Sequence, residues 1–206
     1  MTKILEFTPK PPSKFGFERV KKRRKESSEK RGQMNLFASQ GAHVLSLPAE
    51  ISPFEEALLL DERGDERAAE AYWRAISEAD SPADAYCNLG IIESKLGHTA
   101  KAFDCFTKSL EDDPRHFESH YNLGNLYFEA GDLRLARMHY ELASEIEPDF
   151  PNLYFNLGLV LALMGRFQPA IDVFKKYQQL APQDEGRKAD DVMSSLSRSL
   201  DMKRRG

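Results

Sequence analysis

At 206 residues the chain has room for one or two domains, and 41% hydrophobic with 30% charged residues describes a soluble globular chain carrying a polar extension. The charge is divided unevenly: residues 1–32 hold 11 Lys and Arg against 4 Asp and Glu, which leaves 18 against 29 in the remainder, so a basic arm precedes an acidic body. The longest apolar run, LGLVLALMG at 157–165, is far short of the roughly 20 residues a membrane span needs. MTKILEFTPKPPSK lacks the apolar centre of a secretory signal, and a cytoplasmic protein with no membrane partner is expected.

Residues 1–49 read as a disordered basic tail, because a stretch such as GFERVKKRRKESSEKRG has too little apolar content to offset its ordering entropy. Two features of it invite a partner. VKKRRK is a charge run suited equally to a nuclear-import signal, to a loose nucleic-acid contact through phosphates or to plain solvation. QMNLF at 33–37 resembles the short motif by which bacterial proteins dock on the DNA-polymerase sliding clamp, with Gln33 orienting and Leu36 and Phe37 filling one pocket. The alternative for Leu36 and Phe37, with Val44, Leu45 and Leu47, is that they fold back over the first helices.

From residue 50 onward the pattern is helical and repeats. SPFEEALLLDERGDERAAEAYWRAISEADSP opens with Ser52 as N-cap, Pro53 at the first helical position and Glu55 three residues after the cap; Ser81, Pro82 and Asp84 repeat that start signal. YCNLG at 86–90, HYNLG at 120–124 and YFNLG at 154–158 stand 34 residues apart. Gly97, Gly131 and Gly165 keep the shift, as do Ala102, Ala136 and Ala170, then Phe106, Tyr140 and Phe174, then Pro114, Pro148 and Pro182. Each unit is expected to be a helix hairpin reversed at its second Gly. Gly90, Gly124 and Gly158 let the second helix approach, and the ring fills the space between neighbouring hairpins. Ala68, Tyr72 and Ala75 keep the second-helix spacing in a degenerate first unit, and Trp73 beside them is expected in the core. Val192, Met193, Leu196 and Leu200 form one stripe of a closing helix. Cys87 and Cys105 suit a reducing compartment as buried apolar filler.

These residues resemble the tetratricopeptide repeat. The resemblance implies an all-α, TPR-type α-solenoid of stacked antiparallel helix pairs. It has units at 50–82 (degenerate), 83–116, 117–150 and 151–184, and a capping helix with a basic C-terminus at 185–206. It further implies a concave face built by the first helices, with ligand-facing positions 2, 5, 6, 9, 12 and 13 of each unit. Asn88, Asn122 and Asn156 fall at position 6, where each carboxamide can accept from a peptide N–H and donate to a peptide C=O. Tyr121, Phe128 and Phe155, with Asn125, lie beside that column, so an extended peptide from another protein is the expected partner. The alternative is that the three Asn satisfy neighbouring backbone of the scaffold. The carboxylate clamp known in the family needs cations, whereas Asp84, Glu118 and Asn152 stand at position 2. An acidic lining suits a positively charged ligand, and the basic arm of this same chain is a candidate, in cis or from a second copy.

Nothing assembles a nucleophile, a base and an oxyanion site, so no enzyme, cofactor or small-molecule substrate is expected. His116 and His120 have i, i+4 spacing without a third ligand, and no metal site is expected. The leading expectation is a protein-binding scaffold. The rival is a nucleic-acid- or clamp-associated bacterial factor targeted by residues 19–37. The repeats also resemble those behind the DNA-binding domain of some bacterial regulators, but no such domain is visible upstream.

Overall fold

A computed structural model describes residues 13–21 and 51–205. The expected docking residues Gln33, Leu36 and Phe37, and all of the basic run beyond Lys21, lie outside them. Among the described residues the secondary structure is entirely helical: α1 (Pro53–Glu62), α2 (Ala68–Ser77), α3 (Pro82–Lys95), α4 (Thr99–Asp112), α5 (Phe117–Glu129), α6 (Leu133–Ile146), α7 (Pro151–Leu163), α8 (Phe167–Leu180), the short α9 (Gln183–Gly186) and α10 (Asp190–Arg205). None of these helices is long and apolar enough to cross a membrane. The chain divides into two compact units, one of residues 19–112 and one of residues 1–18 with 113–206.

In the unit of residues 19–112, α1 pairs with α2, α3 with α4, and α2 packs on α3. Ser52 closes a capping box: its Oγ accepts from the Glu55 amide at 3.3 Å, and the Glu55 carboxylate accepts from the Ser52 amide at 3.2 Å. The next start differs from expectation. Ser81 is left-handed, with φ 52°, and makes no side-chain cap; the chain reverses through Ala79 and Ser81, and Asp80 is committed instead to the Phe54 amide at 2.8 Å. The expectation for Trp73 fails as well. Tyr72 occupies the ring position of the repeat and is fully buried, so the next residue on the helix points outward and Trp73 is 47% exposed. Cys87 and Cys105 are buried free thiols, and burial pushes Cys105 up to about 11.

The other unit holds the hairpins α5–α6 and α7–α8, with α10 against α8. Val192 and Leu196 of the closing helix join the core, flanked by Met193 and Leu200, as the stripe predicts. The small residue of the Leu-Gly pair is a steric requirement. A Cβ on Gly124 would lie 2.5 Å from the Tyr140 ring, and on Gly158 2.7 Å from Phe174. Each ring therefore sits on the glycine of its own hairpin, where α5 meets α6 and α7 meets α8. Gly131, with φ +80°, makes the turn after α5 in a conformation that carries no penalty only without a Cβ.

Residues 13–21 correct the expectation of a tail unstructured throughout residues 1–49. They run as extended chain against the helices, because the Asn side chains offer their main chain the hydrogen bonds that a free strand would seek from water.

Candidate functional site: the asparagine faces of the first helices

Asn122 projects from α5 and Asn156 from α7, both fully buried. A mid-helix Asn is unfavourable unless its carboxamide finds partners. Here the partners are main chain of residues 13–18. The Phe15 amide donates to Asn156 Oδ1 at 2.8 Å and Asn156 Nδ2 donates back to the Phe15 carbonyl at 3.1 Å. The Glu18 amide donates to Asn122 Oδ1 at 2.8 Å, and Asn122 Nδ2 returns the bond to the Glu18 carbonyl at 2.8 Å. Each carboxamide thus takes both polar groups of one residue, as a neighbouring β-strand does.

Phe15 and Glu18 are three residues apart, an odd step that in a straight strand would turn the second residue's polar groups to the opposite side. The backbone must roll over between them. Gly16 lies in that step, and its carbonyl accepts from Asn125 Nδ2 at 3.0 Å. Asn125 is itself held by the Tyr140 hydroxyl, which donates to its Oδ1 at 2.6 Å, while Asn156 Nδ2 donates to the same oxygen at 2.9 Å. Asn156 Nδ2 also lies 3.1 Å from the Tyr121 hydroxyl, so three acceptors share its two protons. Burial raises the Tyr121 and Tyr140 hydroxyls far above the usual phenol range, which keeps both protonated.

Side chains of the strand are read too. Phe15 meets the Phe155 ring edge-on at 5.2 Å and Tyr177 at 6.1 Å, with Lys188 Nζ 4.9 Å from its centroid. Lys14 pairs with Glu129 at 3.0 Å. Of the aromatic residues expected on this face, Phe155 touches the strand's ring and Tyr121 acts through its hydroxyl. Phe128 is half-buried against the core of the unit.

The unit of residues 19–112 has its own version. The Val20 amide donates to Asn88 Oδ1 at 2.9 Å, and Asn88 Nδ2 donates to the Val20 carbonyl and to the Tyr72 hydroxyl, both at 3.0 Å. Tyr72 donates onward to Asp61 at 3.1 Å, and Asp61 receives Arg19 at 2.9 Å. Main chain and side chain of the Arg19–Val20 pair are therefore fixed by one hydrogen-bonded circuit, in which Val20 is 3% exposed. Burial, with the Asp61 charge second, holds the Tyr72 hydroxyl far above its ordinary range.

Sequence reasoning missed Asp61, Glu129, Tyr72 and Tyr140. A signal for the two acids existed. Glu129 stands at position 13 of its unit, a ligand-facing position, Asp61 lies two 34-residue periods before it, and both take a cation of the strand. His116 is an N-cap whose Nδ1 accepts from the Ser119 amide at 3.1 Å. His120 faces His139, their Nδ1 atoms 3.1 Å apart.

Models of the tetratricopeptide repeat match residues 83–116, 105–138 and 151–184, and a TPR-repeat model matches 124–165. The matches at 83–116 and 151–184 coincide with the hairpins α3–α4 and α7–α8. The chain is a tetratricopeptide repeat protein. Its fold class is the all-α TPR-type solenoid with a closing helix. Among curated relatives, this TPR protein is 26% identical over 59% of its length to the BBSome complex member BBS4 of Bos taurus, covering 24% of that protein. It is 30% identical over 53% to Tetratricopeptide repeat protein 8 of Mus musculus, covering 22%. It thus spans about a quarter of the length of these relatives. Among solved structures it resembles MamA, with a TM-score of 0.55 and 19% identity over 73% of this chain and 97% of that one. It also resembles the first TPR of Spaghetti (RPAP3) bound to an HSP90 peptide, with a TM-score of 0.53 and 21% identity over 57% and 92%. At such identities these likenesses speak for the fold of the TPR protein alone.

Proposed function

We propose that this TPR protein is a non-enzymatic interaction scaffold whose asparagine-bearing helix faces hold an extended peptide segment of another protein. One observation carries the reading. Asn88, Asn122 and Asn156 each spend a buried carboxamide on the N–H and the C=O of a single extended residue, and the main chain they hold belongs to no helix of the scaffold. A carboxamide used in that way binds polypeptide by its backbone, whatever its sequence, and leaves side-chain selection to the neighbouring groups. The RPAP3 neighbour carries a peptide in its solved structure, which agrees with this use of the fold.

Selection of a displayed random-peptide library on the full-length chain tests the reading. Binders are expected, and replacing Asn122 and Asn156 by Ala should cost them at least tenfold in affinity with the helical dichroism unchanged. A selection that yields no binder, or binders indifferent to both substitutions, would sink it.

A further inference from the structure

The strand already seated on the asparagine faces specifies more than backbone. In the unit of residues 1–18 and 113–206, Phe15 enters between Phe155 and Tyr177, and Lys14 is paired with Glu129, its side chain only 12% exposed. In the unit of residues 19–112, Arg19 reaches Asp61, whose side chain is 8% exposed and already accepts from Tyr72, while Val20 is buried. Glu129 and Asp61 thus each meet a cation one residue before a strand residue whose main chain an asparagine holds, Lys14 before Phe15 and Arg19 before Val20, so charge and main chain are read by separate groups. Gly16 carries no side chain, and a Cβ there would meet nothing within 4 Å, so that position does not discriminate.

We infer, resting on the peptide-scaffold reading above, that the partner supplies extended basic peptide in which the unit of residues 1–18 and 113–206 reads a Lys-aromatic pair, and the unit of residues 19–112 reads an Arg followed by a β-branched aliphatic residue. The chain's own Lys14-Phe15 and Arg19-Val20 are the resident copy of that ligand, and the partner must displace them. Charge complementarity sets the sign: Glu129 and Asp61 receive cations, and the same positions repel an acidic peptide. Residues 22–50 join the resident copy to Ile51, a span of 29 residues long enough to leave the strand attached after it is released. A competitor that stays covalently attached acts at an effective concentration on the order of 1 mM. A free peptide of the same sequence with a Kd near 0.1 mM or tighter therefore meets a competitor that weakens it about tenfold or more.

The probe is a fluorescent peptide of residues 12–22, PSKFGFERVKK, titrated by anisotropy into full-length chains. Wild type should bind it weakly, and the full-length variant F15E/R19E, whose resident copy no longer fits, at least tenfold more tightly. On that variant, peptides carrying Phe15→Ala or Arg19→Glu should each lose at least tenfold, and an acidic peptide such as SRMEEVD should not bind. Equal binding of unsubstituted and substituted peptides, still abolished by N122A/N156A, overturns the sequence pattern and leaves the backbone-holding scaffold standing. No binding of any peptide to a folded F15E/R19E chain overturns both. Should F15E/R19E misfold, a wild-type chain with a protease site inserted within 22–50 gives the same answer. After cleavage, excess unlabelled peptide should release the N-terminal fragment while the R19E peptide does not, and release by both or by neither overturns the pattern.

Discussion

The first hairpin and the three that follow it share a register but not a chemistry. Where the later units place Asn88, Asn122 and Asn156, the first has the fully buried Phe54; where they place Gly90, Gly124 and Gly158, it has the half-buried Glu56. The regular hairpins hold strand backbone through their asparagines, with side chains added at Glu129 and Phe155, and the degenerate one, which has Phe54 in place of the Asn, holds a strand side chain through Asp61. Losing the consensus thus changed what is read. Tyr72 shows the same shift: at the ring position where Phe106 only packs, it carries a hydroxyl that links Asn88 to Asp61.

The sharpest way to break the comparison is to make one substitution at the same register position in both kinds of hairpin. Gly124→Ala drives a methyl to 2.5 Å from a ring that is itself fully buried and tethered to Asn125. It should cost about 1–3 kcal/mol of stability in thermal or urea unfolding. Glu56→Ala, at the equivalent site, should stay within about 0.5 kcal/mol. Comparable losses at the two sites would show that the Gly-ring contact is not what distinguishes the regular hairpins.

A second test concerns the middle unit. Asn125 corresponds to Ile91 and Leu159, and Tyr140 to Phe106 and Phe174, so the polar pair replaces an apolar pair as a unit. Asn125→Leu leaves the buried Tyr140 hydroxyl without its acceptor, and Tyr140→Phe removes a donor from Asn125; each should cost about 1–2 kcal/mol. The double variant restores the chemistry of the neighbouring hairpins at this contact and should cost less than the sum of the two single losses, a coupling that a double-mutant cycle measures directly, although Asn156 Nδ2 and the Gly16 carbonyl still lose a partner. Additive losses would contradict the pairing.

These positions also show how much could be read from the sequence. The 34-residue shift dictates hairpins, Gly-ring contacts and the Asn column, because each depends on one residue type recurring in one place. Asn125 was legible as a polar residue on the correct face, but its anchor Tyr140 sits on another helix and looks like an ordinary core ring. The strand was illegible for a different reason. Residues 13–21 have no periodicity of their own, and their order comes from partners more than 60 residues away. Composition alone called them tail. Ser81 was misread because the chain reverses through Ala79 and Ser81, a turn with no sequence counterpart in the later repeats, and Trp73 because Tyr72 already holds the ring position of the repeat.

The hairpins differ in their response to acid as well. His120 on α5 and His139 on α6 face each other, with the Tyr127 ring stacked on His139 and the Pro114 carbonyl at His120 Nε2. Burial, and then the neighbouring imidazole, lower His139 to about 4; burial lowers His120. Between about 6.5 and about 4 the unfolded chain binds a proton that the folded one refuses. The contribution is therefore complete above about 6.5 and is lost as the pH falls through that window, on the order of 1 kcal/mol. Replacing His139 by Gln should flatten this part of the stability-pH curve. An unchanged slope would mean that the pair does not titrate as its packing implies.

The smallest expected effect bears on the degenerate hairpin itself. Asp61→Asn keeps the shape and the Tyr72 hydrogen bond but removes the charge that receives Arg19. Global stability should move by less than about 1 kcal/mol, because the pair fixes one end of a strand and no helix depends on it. Val20 lies beside Arg19 and hangs from Asn88 by two hydrogen bonds. Hydrogen exchange at its amide should accelerate severalfold in the variant, while the amides of Phe15 and Glu18, held by Asn156 and Asn122, should exchange as before. If all three accelerate together, the strand opens as one piece and the acid of the first hairpin contributes to the whole segment. If only Val20 responds, side-chain reading in the first hairpin is separable from backbone reading in the others.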